Sequence, residues 1–100
     1  MSTIHKIELA ERVGEYLSSR EIGRQIRLEI ESVGGALLDF SGVAGISGSF
    51  ADEVFGVIVA EHGPAWLRSH VLIANLSPVV KNSIFHTLNL RFAKYAAVAG

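Results

Sequence analysis

Cysteine is absent from the 100 residues, which excludes disulfide frameworks, thiolate zinc sites and a cysteine nucleophile. An excess of one charge is missing too. Nine Lys+Arg stand against ten Asp+Glu, a formal net charge of -1. No basic field exists to attract nucleic acid, and no Lys/Arg run marks a membrane surface. The longest apolar runs fall far short of a membrane span. Met1 to Glu11 hold no continuous apolar stretch of signal-peptide length. The expectation is a cytoplasmic protein. The chain shows no internal repeat and no low-complexity tract.

Chemical motifs are scarce as well. The four histidines, His5, His62, His70 and His86, have neither H-x-H nor H-E-x-x-H spacing, so neither a metal nor any other cofactor is expected. Gly42, Gly45 and Gly48 are not followed by a Lys-Ser/Thr pair and do not read G-x-G-x-x-G, which excludes the common nucleotide loops. Asp52 and Glu53 are adjacent, so on a helix they point in different directions and form no acid/base pair. An enzyme is the last choice, and a small hydrolase using Asp39, Ser49 and Asp52 would lack a recognisable base.

What is present is apolar. Hydrophobic residues make up 49% of the chain and charged ones 19%, a balance that folds rather than stays disordered. One hundred residues make one domain. An extended start covers residues 3–9, with a second strand suggested through Val13 and Tyr16, so that residues 1–17 form an N-terminal strand region. Ser18 opens a Ser-x-x-Glu box with Glu21, and Ile22, Ile26, Ile30 and Val33 recur at helical spacing. Gly34-Gly35 stops that helix. Ala36 to Phe40 is a short apolar run of the kind found in buried parallel strands. A small-residue loop leads to Ser49-x-x-Asp52, a second capping pattern, then to a helix from about Phe50 to His62 that Gly63-Pro64 ends. Val71 to Asn75 is a third apolar run. Ser77-Pro78 starts a last helix carrying Val80, Ile84, Leu88, Phe92 and Tyr95 on one face, with residues 96–100 as a flexible tail. The order is β-(β)-α-β-α-β-α: an α/β domain with a mostly parallel sheet and right-handed crossovers.

Two segments carry a family resemblance. Leu37-Leu38-Asp39-Phe40-Ser41-Gly42-Val43 through Ser49 and Val71 through Lys81 resemble the STAS domains of anti-sigma factor antagonists and sulphate transporters. Closer still is a STAS-like family of unknown function, which shares Ser19-Arg20-Glu21-x-Gly23 and Ser49-Phe50-Ala51-Asp52-Glu53. The resemblance implies a small STAS-like sandwich that acts in bacterial-type signalling through protein–protein interaction. It implies docking on an ATP-binding kinase-like or anti-sigma-like partner. The phosphorylated serine of that family falls on Ser49, with Ser47 a weaker alternative. The departures are Ser47 for an aspartate, Gly48 for a first serine, and Phe50-Ala51 after the acceptor.

From the residues themselves, Ser49 reads as a helix N-cap, which either only caps or also accepts a phosphate that the helix dipole favours and Asp52 opposes. If Asp39 to Ser49 and Asn75 to Pro78 both leave strand ends, two helix N-termini, with Ser49 and Ser77, lie near each other. The helix from Phe50 has an apolar arc wider than the ~100° a surface helix needs. Either it lies under neighbouring elements or it offers a partner face. The face favoured comprises Ser47, Gly48, Ser49, Phe50, Glu53, Val57 and Ser77, and a homodimer would use it equally well. Asp39 either bonds the Ser41-Gly42 turn or meets a phosphate-bound Mg²⁺. Arg20, Arg24 and Arg27 share a helix face with Glu31, read as a solvated face. Trp66 either closes the core or stands exposed as an anchor.

Overall fold

The computed structural model describes residues 4–99. Its elements run β1 Lys6–Glu8, α1 Leu9–Arg12, β2 Tyr16–Leu17, α2 Arg20–Val33, β3 Ala36–Asp39, β4 Gly45–Ile46, α3 Gly48–Ala51, a π-helical segment Asp52–Gly56, α4 Val57–His62, α5 Pro64–His70, β5 Val71–Ala74 and α6 Pro78–Ala99. Every strand pair is parallel. β3 lies at the centre of a three-stranded sheet ordered β1-β3-β5, and β2 pairs β4 in a separate ladder. The α/β class and the mostly parallel sheet stand as the apolar runs imply. Met1 to Thr3, part of the expected first strand, lie outside the described residues. So does Gly100, while helical backbone continues to Ala99 through the stretch expected as a tail.

Local chemistry sets the helix ends. Ser19, one residue after the expected Ser18, caps α2: its Oγ accepts from the Ile22 N–H at 3.2 Å. Gly34 ends the helix at φ 78°, a left-handed conformation that glycine adopts without steric cost. Ile26 and Ile30 are buried and Ile22 packs beside them, whereas Val33 turns out to solvent. Ser77 Oγ accepts from the Val80 N–H at 3.3 Å at the start of α6, where Pro78 needs no N–H partner. Val80 and Ile84 are buried and Leu88 packs against the core. The side chains of Phe92 and Tyr95, from the same expected stripe, lie outside the described residues.

Gly63-Pro64 ends one helix and starts another. Pro64 occupies the first position of α5, the place where a helix tolerates proline. That added helix puts Trp66 half-buried against the core, stacked between His62 at 4.6 Å and His70 at 4.3 Å.

The core centres on the helical stretch from Gly48 to His62. Phe50, Val54, Phe55, Ile58 and Val59 are each at most 1% exposed, because α2 packs on one side of this stretch and α6 on the other. The wide apolar arc is thus that of a central helix under its neighbours. A π-turn widens the arc further, since the extra residue shifts the phase of the side chains that follow. Phe50 is enclosed by its own chain and cannot face a partner, and Val57 is half-buried.

Candidate functional site

The two segments Ser19-Arg20-Glu21-Ile22-Gly23 and Ser49-Phe50-Ala51-Asp52-Glu53, 30 positions apart in sequence, lie against each other. Gly23 is the point of closest approach. A Cβ there would meet Glu53 Cβ and the Phe50 carbonyl oxygen at 3.3 Å each, so the absent side chain lets α2 lie directly on the π-segment. Across that seam Arg20 Nη1 donates to Glu53 Oε2 at 3.1 Å and lies 3.7 Å from Asp52 Oδ2. Arg27 Nη2 reaches Glu53 Oε1 at 3.6 Å, while its Nη1 donates to Glu31 at 2.7 Å. Arg27 and Glu53 are at least nine-tenths buried. The expected solvated face holds for exposed Arg24 and fails for Arg27, whose charge is drawn inward to balance Glu53 and Glu31.

A third arginine closes the network from the other side. Arg91 on α6 grips Asp52 with two bonds, Nε to Oδ1 at 2.7 Å and Nη2 to Oδ2 at 2.9 Å. The guanidinium lies over Gly56, where a Cβ would overlap Asp52 Oδ1 and stand 2.9 Å from Arg91 Nε. Asp52 and Glu53, read as pointing apart, are therefore bridged by Arg20 and held between α2 and α6.

Above this network opens a cleft of about 430 Å³, lined by Arg20, Gly48, Ser49, Asp52 and, from α6, His86, Thr87, Leu90 and Arg91. Ser49 is exposed at its rim, as is Gly48. Ser49 is not the cap. Ser47 holds that position, its Oγ accepting from the Phe50 N–H at 3.1 Å and donating to the Ser18 carbonyl at 3.1 Å. Both bonds fix Ser47 in place and leave the hydroxyl of Ser49 on the surface. Ser47, Gly48 and Ser49 are thus together, while Phe50 is packed beneath them and Glu53, buried against Arg20 and Arg27, does not line the cleft. Ser77 is elsewhere. It caps the start of α6, nine residues before His86, or roughly 13 Å along the helix axis. Ser77 does not line the cleft with Ser49, and α3 follows β4 of the small ladder and not a strand of the three-stranded sheet.

At the carboxyl end of that sheet, Asp39 Oδ1 accepts from Ser41 N at 2.9 Å, Ser41 Oγ at 2.8 Å and Asn75 Nδ2 at 3.0 Å. The bond from Asn75, then those from Ser41, hold its carboxyl well below the usual carboxylate range, with the Lys6 ammonium helping at 3.5 Å. This is the turn-bonding role. A metal-type grouping occurs at the far end of α2, where one ligand atom each of Glu31, Glu61 and His62 lie within 4.8 Å of one another. Arg27 Nη1 already stands 2.7 Å from Glu31 and 3.9 Å from Glu61, so a cation would have to displace a guanidinium. Sequence reasoning missed Arg91 and Gly56, the parts that come from α6 and the π-turn. Their only sequence signal was a glycine and an arginine in helical segments, with nothing to pair them.

Among the described residues no helix is long and apolar enough to cross a membrane. The model of one protein family, described as a STAS-like domain of unknown function (DUF4325), matches residues 22–81. Neither the curated proteins nor the solved structures give a match.

Proposed function

The chain belongs to the STAS-like domain family, and from that premise we propose that it is a cytoplasmic regulatory module that docks on an ATP-binding, kinase-like or anti-sigma-like protein. The observation that carries this is the exposure of Ser49 at the rim of a cleft whose floor is fixed by both family-like segments. Ser49 is the conditional phosphoacceptor. Transfer would form an Oγ–P bond, break the β–γ anhydride bond of a nucleoside triphosphate, and pass the hydroxyl proton to a base on the kinase. The docking face runs from Gly48 and Ser49 onto α6, where at 100° per residue Val79, His86 and Leu90 share one stripe. All three are exposed, Val79 and Leu90 by more than half. This stripe takes the place of Phe50 as the apolar part of the face.

The test is binding of an ATP-binding kinase-like protein, sought first among the products of the genes that flank this one. Incubation with that protein and ATP is expected to add one phosphate, found by mass spectrometry on Ser49. Binding is expected to drop at least tenfold in Ser49→Asp and in Leu90→Asp. Unchanged binding in both variants would remove this face.

A second reading, self-association, has its own observation. Ile4, Val33 and Leu72 are large, exposed by 61%, 48% and 52%, and surround one shallow depression at the amino end of the sheet. Large apolar side chains exposed around one depression favour an interaction site. It lies away from the helix that the sequence suggested for a homodimer.

A further inference from the structure

We infer that the Arg20–Asp52–Arg91 network is the internal receiver of a phosphate on Ser49, which takes over these arginines and releases the hold of α6 on the π-segment. This rests on the phosphoacceptor reading of Ser49 and says what the modification does to the fold.

The geometry supplies each part. Ser49, Asp52, Arg20 and Arg91 line one cleft. Ser49 and Asp52 are three residues apart on one helical stretch, hence on the same face. A phosphoserine brings a charge of about −1.5 to −2 and three strong acceptor oxygens. It repels Asp52 and competes for the guanidinium of Arg91, which grips Asp52, and for that of Arg20, shared between Glu53 and Asp52. Bidentate binding suits arginine to phosphate as well as to carboxylate. Arg20 is the readier of the two, with its side chain 56% exposed and its contact to Asp52 stretched to 3.7 Å. Arg91 is seated more firmly, by two bonds below 3 Å. Its position depends on Gly56, whose missing side chain leaves the space the guanidinium lies in. His86 stands on the same cleft wall. Asp52 and Glu53 are the acidic groups that share the two arginines.

The consequence is mechanical. The Asp52–Arg91 pair ties α6 to the central helix. Moving Arg91 toward Ser49 unties it and shifts the α6 stripe of His86 and Leu90, the surface proposed to meet the partner. Phosphorylation would then act by reshaping that surface and not only by placing charge on it.

The experiment installs phosphoserine at position 49 of the full chain during translation, so that no kinase is needed. The phosphate is titrated by phosphorus NMR and the arginine Nε–H groups are followed by nitrogen-edited spectra. A free phosphoserine titrates near pH ~6. In the wild type the phosphate is expected to titrate about 0.5–1 unit lower than in Arg20→Gln or Arg91→Gln, and lower again in Asp52→Asn, which removes the opposing charge and loosens Arg91 for it. The Arg91 Nε–H resonance is expected to move on phosphorylation. Equal titration in the wild type and both glutamine variants, or an unmoved Arg91 resonance, would overturn the inference. Should Arg91→Gln fail to fold, the exposed Arg20→Gln and Asp52→Asn still give opposite shifts or none. Because the phosphate is built in, failure of a kinase-like partner to modify Ser49 counts against the proposed function alone.

Discussion

Asp39 shows how a single carboxylate at a strand end can be committed entirely to the fold. Its Oδ1 accepts from Ser41 and Asn75, and Asn75 holds φ 60°, a left-handed conformation that asparagine tolerates better than most residues. A carboxyl with so many donors stays ionised far into acid. The folded pKa lies below that of the unfolded chain, about 3.9. The stabilisation is therefore whole above the unfolded value and is lost as pH falls from there toward the folded one. The neutral amide of Asp39→Asn has no such dependence. Urea midpoints measured from pH 6 to pH 2.5 should fall more steeply for wild type than for Asp39→Asn, with the two curves converging in acid. Parallel curves would show that the ionisation of Asp39 is not coupled to folding. At this scale the sequence was informative where partners are close in the chain. The bond to Ser41 was legible from the Asp-x-Ser turn, while the one from Asn75 crosses strands and was not.

Among the elements, periodicity located α2, β3, β5 and the start of α6 because each carries its own signal: a stripe of isoleucines, an unbroken apolar run, a Ser-Pro start. The short pieces escaped it. β4 is two residues, and α5 follows a Gly-Pro that reads equally well as a stop. The central helix was found, but the π-turn within it was not, since every residue from Asp52 to Gly56 is compatible with an ordinary α-turn. That turn can be probed through Gly56. Replacing an interior helical glycine with alanine favours the helix by up to ~1 kcal/mol. Here the new methyl would collide with Asp52 Oδ1 and crowd Arg91 Nε, displacing a doubly bonded pair whose charged hydrogen bonds are worth about 1.5–3 kcal/mol, reduced by their partial exposure. Gly56→Ala should therefore cost about 1 kcal/mol in denaturant unfolding. In an Asp52→Ala background the same substitution should be neutral or stabilising. Additive effects in that double-mutant cycle would mean that Gly56 is not reserved for the ion pair.

For the molecule as a whole, the sheet has unequal faces. Side chains alternate along each strand, and the register sets Ile7, Leu38 and Ile73 side by side on the face that includes Ala36 and Val71. Of these only Ile73, on an edge strand, is appreciably exposed. The opposite face bears Lys6, Glu8, Leu37, Asp39, Leu72 and Ala74. There Lys6 reaches Glu8 and Asp39 at 3.5 Å each, and Leu72 is 52% exposed. Parallel sheets are normally covered on both sides, so an open face with leucine at one end and ion pairs at the other is a surface with something left to bury. Edge strand β5, Val71-Leu72-Ile73-Ala74, carries no charge to discourage pairing. Self-association through this region is expected to appear in sedimentation velocity as a concentration-dependent rise in mass. Leu72→Glu should raise the dissociation constant at least tenfold, or about 1.4 kcal/mol, with no loss of fold, because the side chain already stands in solvent. Leu90→Asp, on the cleft side of α6, should leave that association unchanged. If the two variants behave the other way round, the open sheet face is merely solvated, and the cleft and its α6 wall serve both the partner and the second copy.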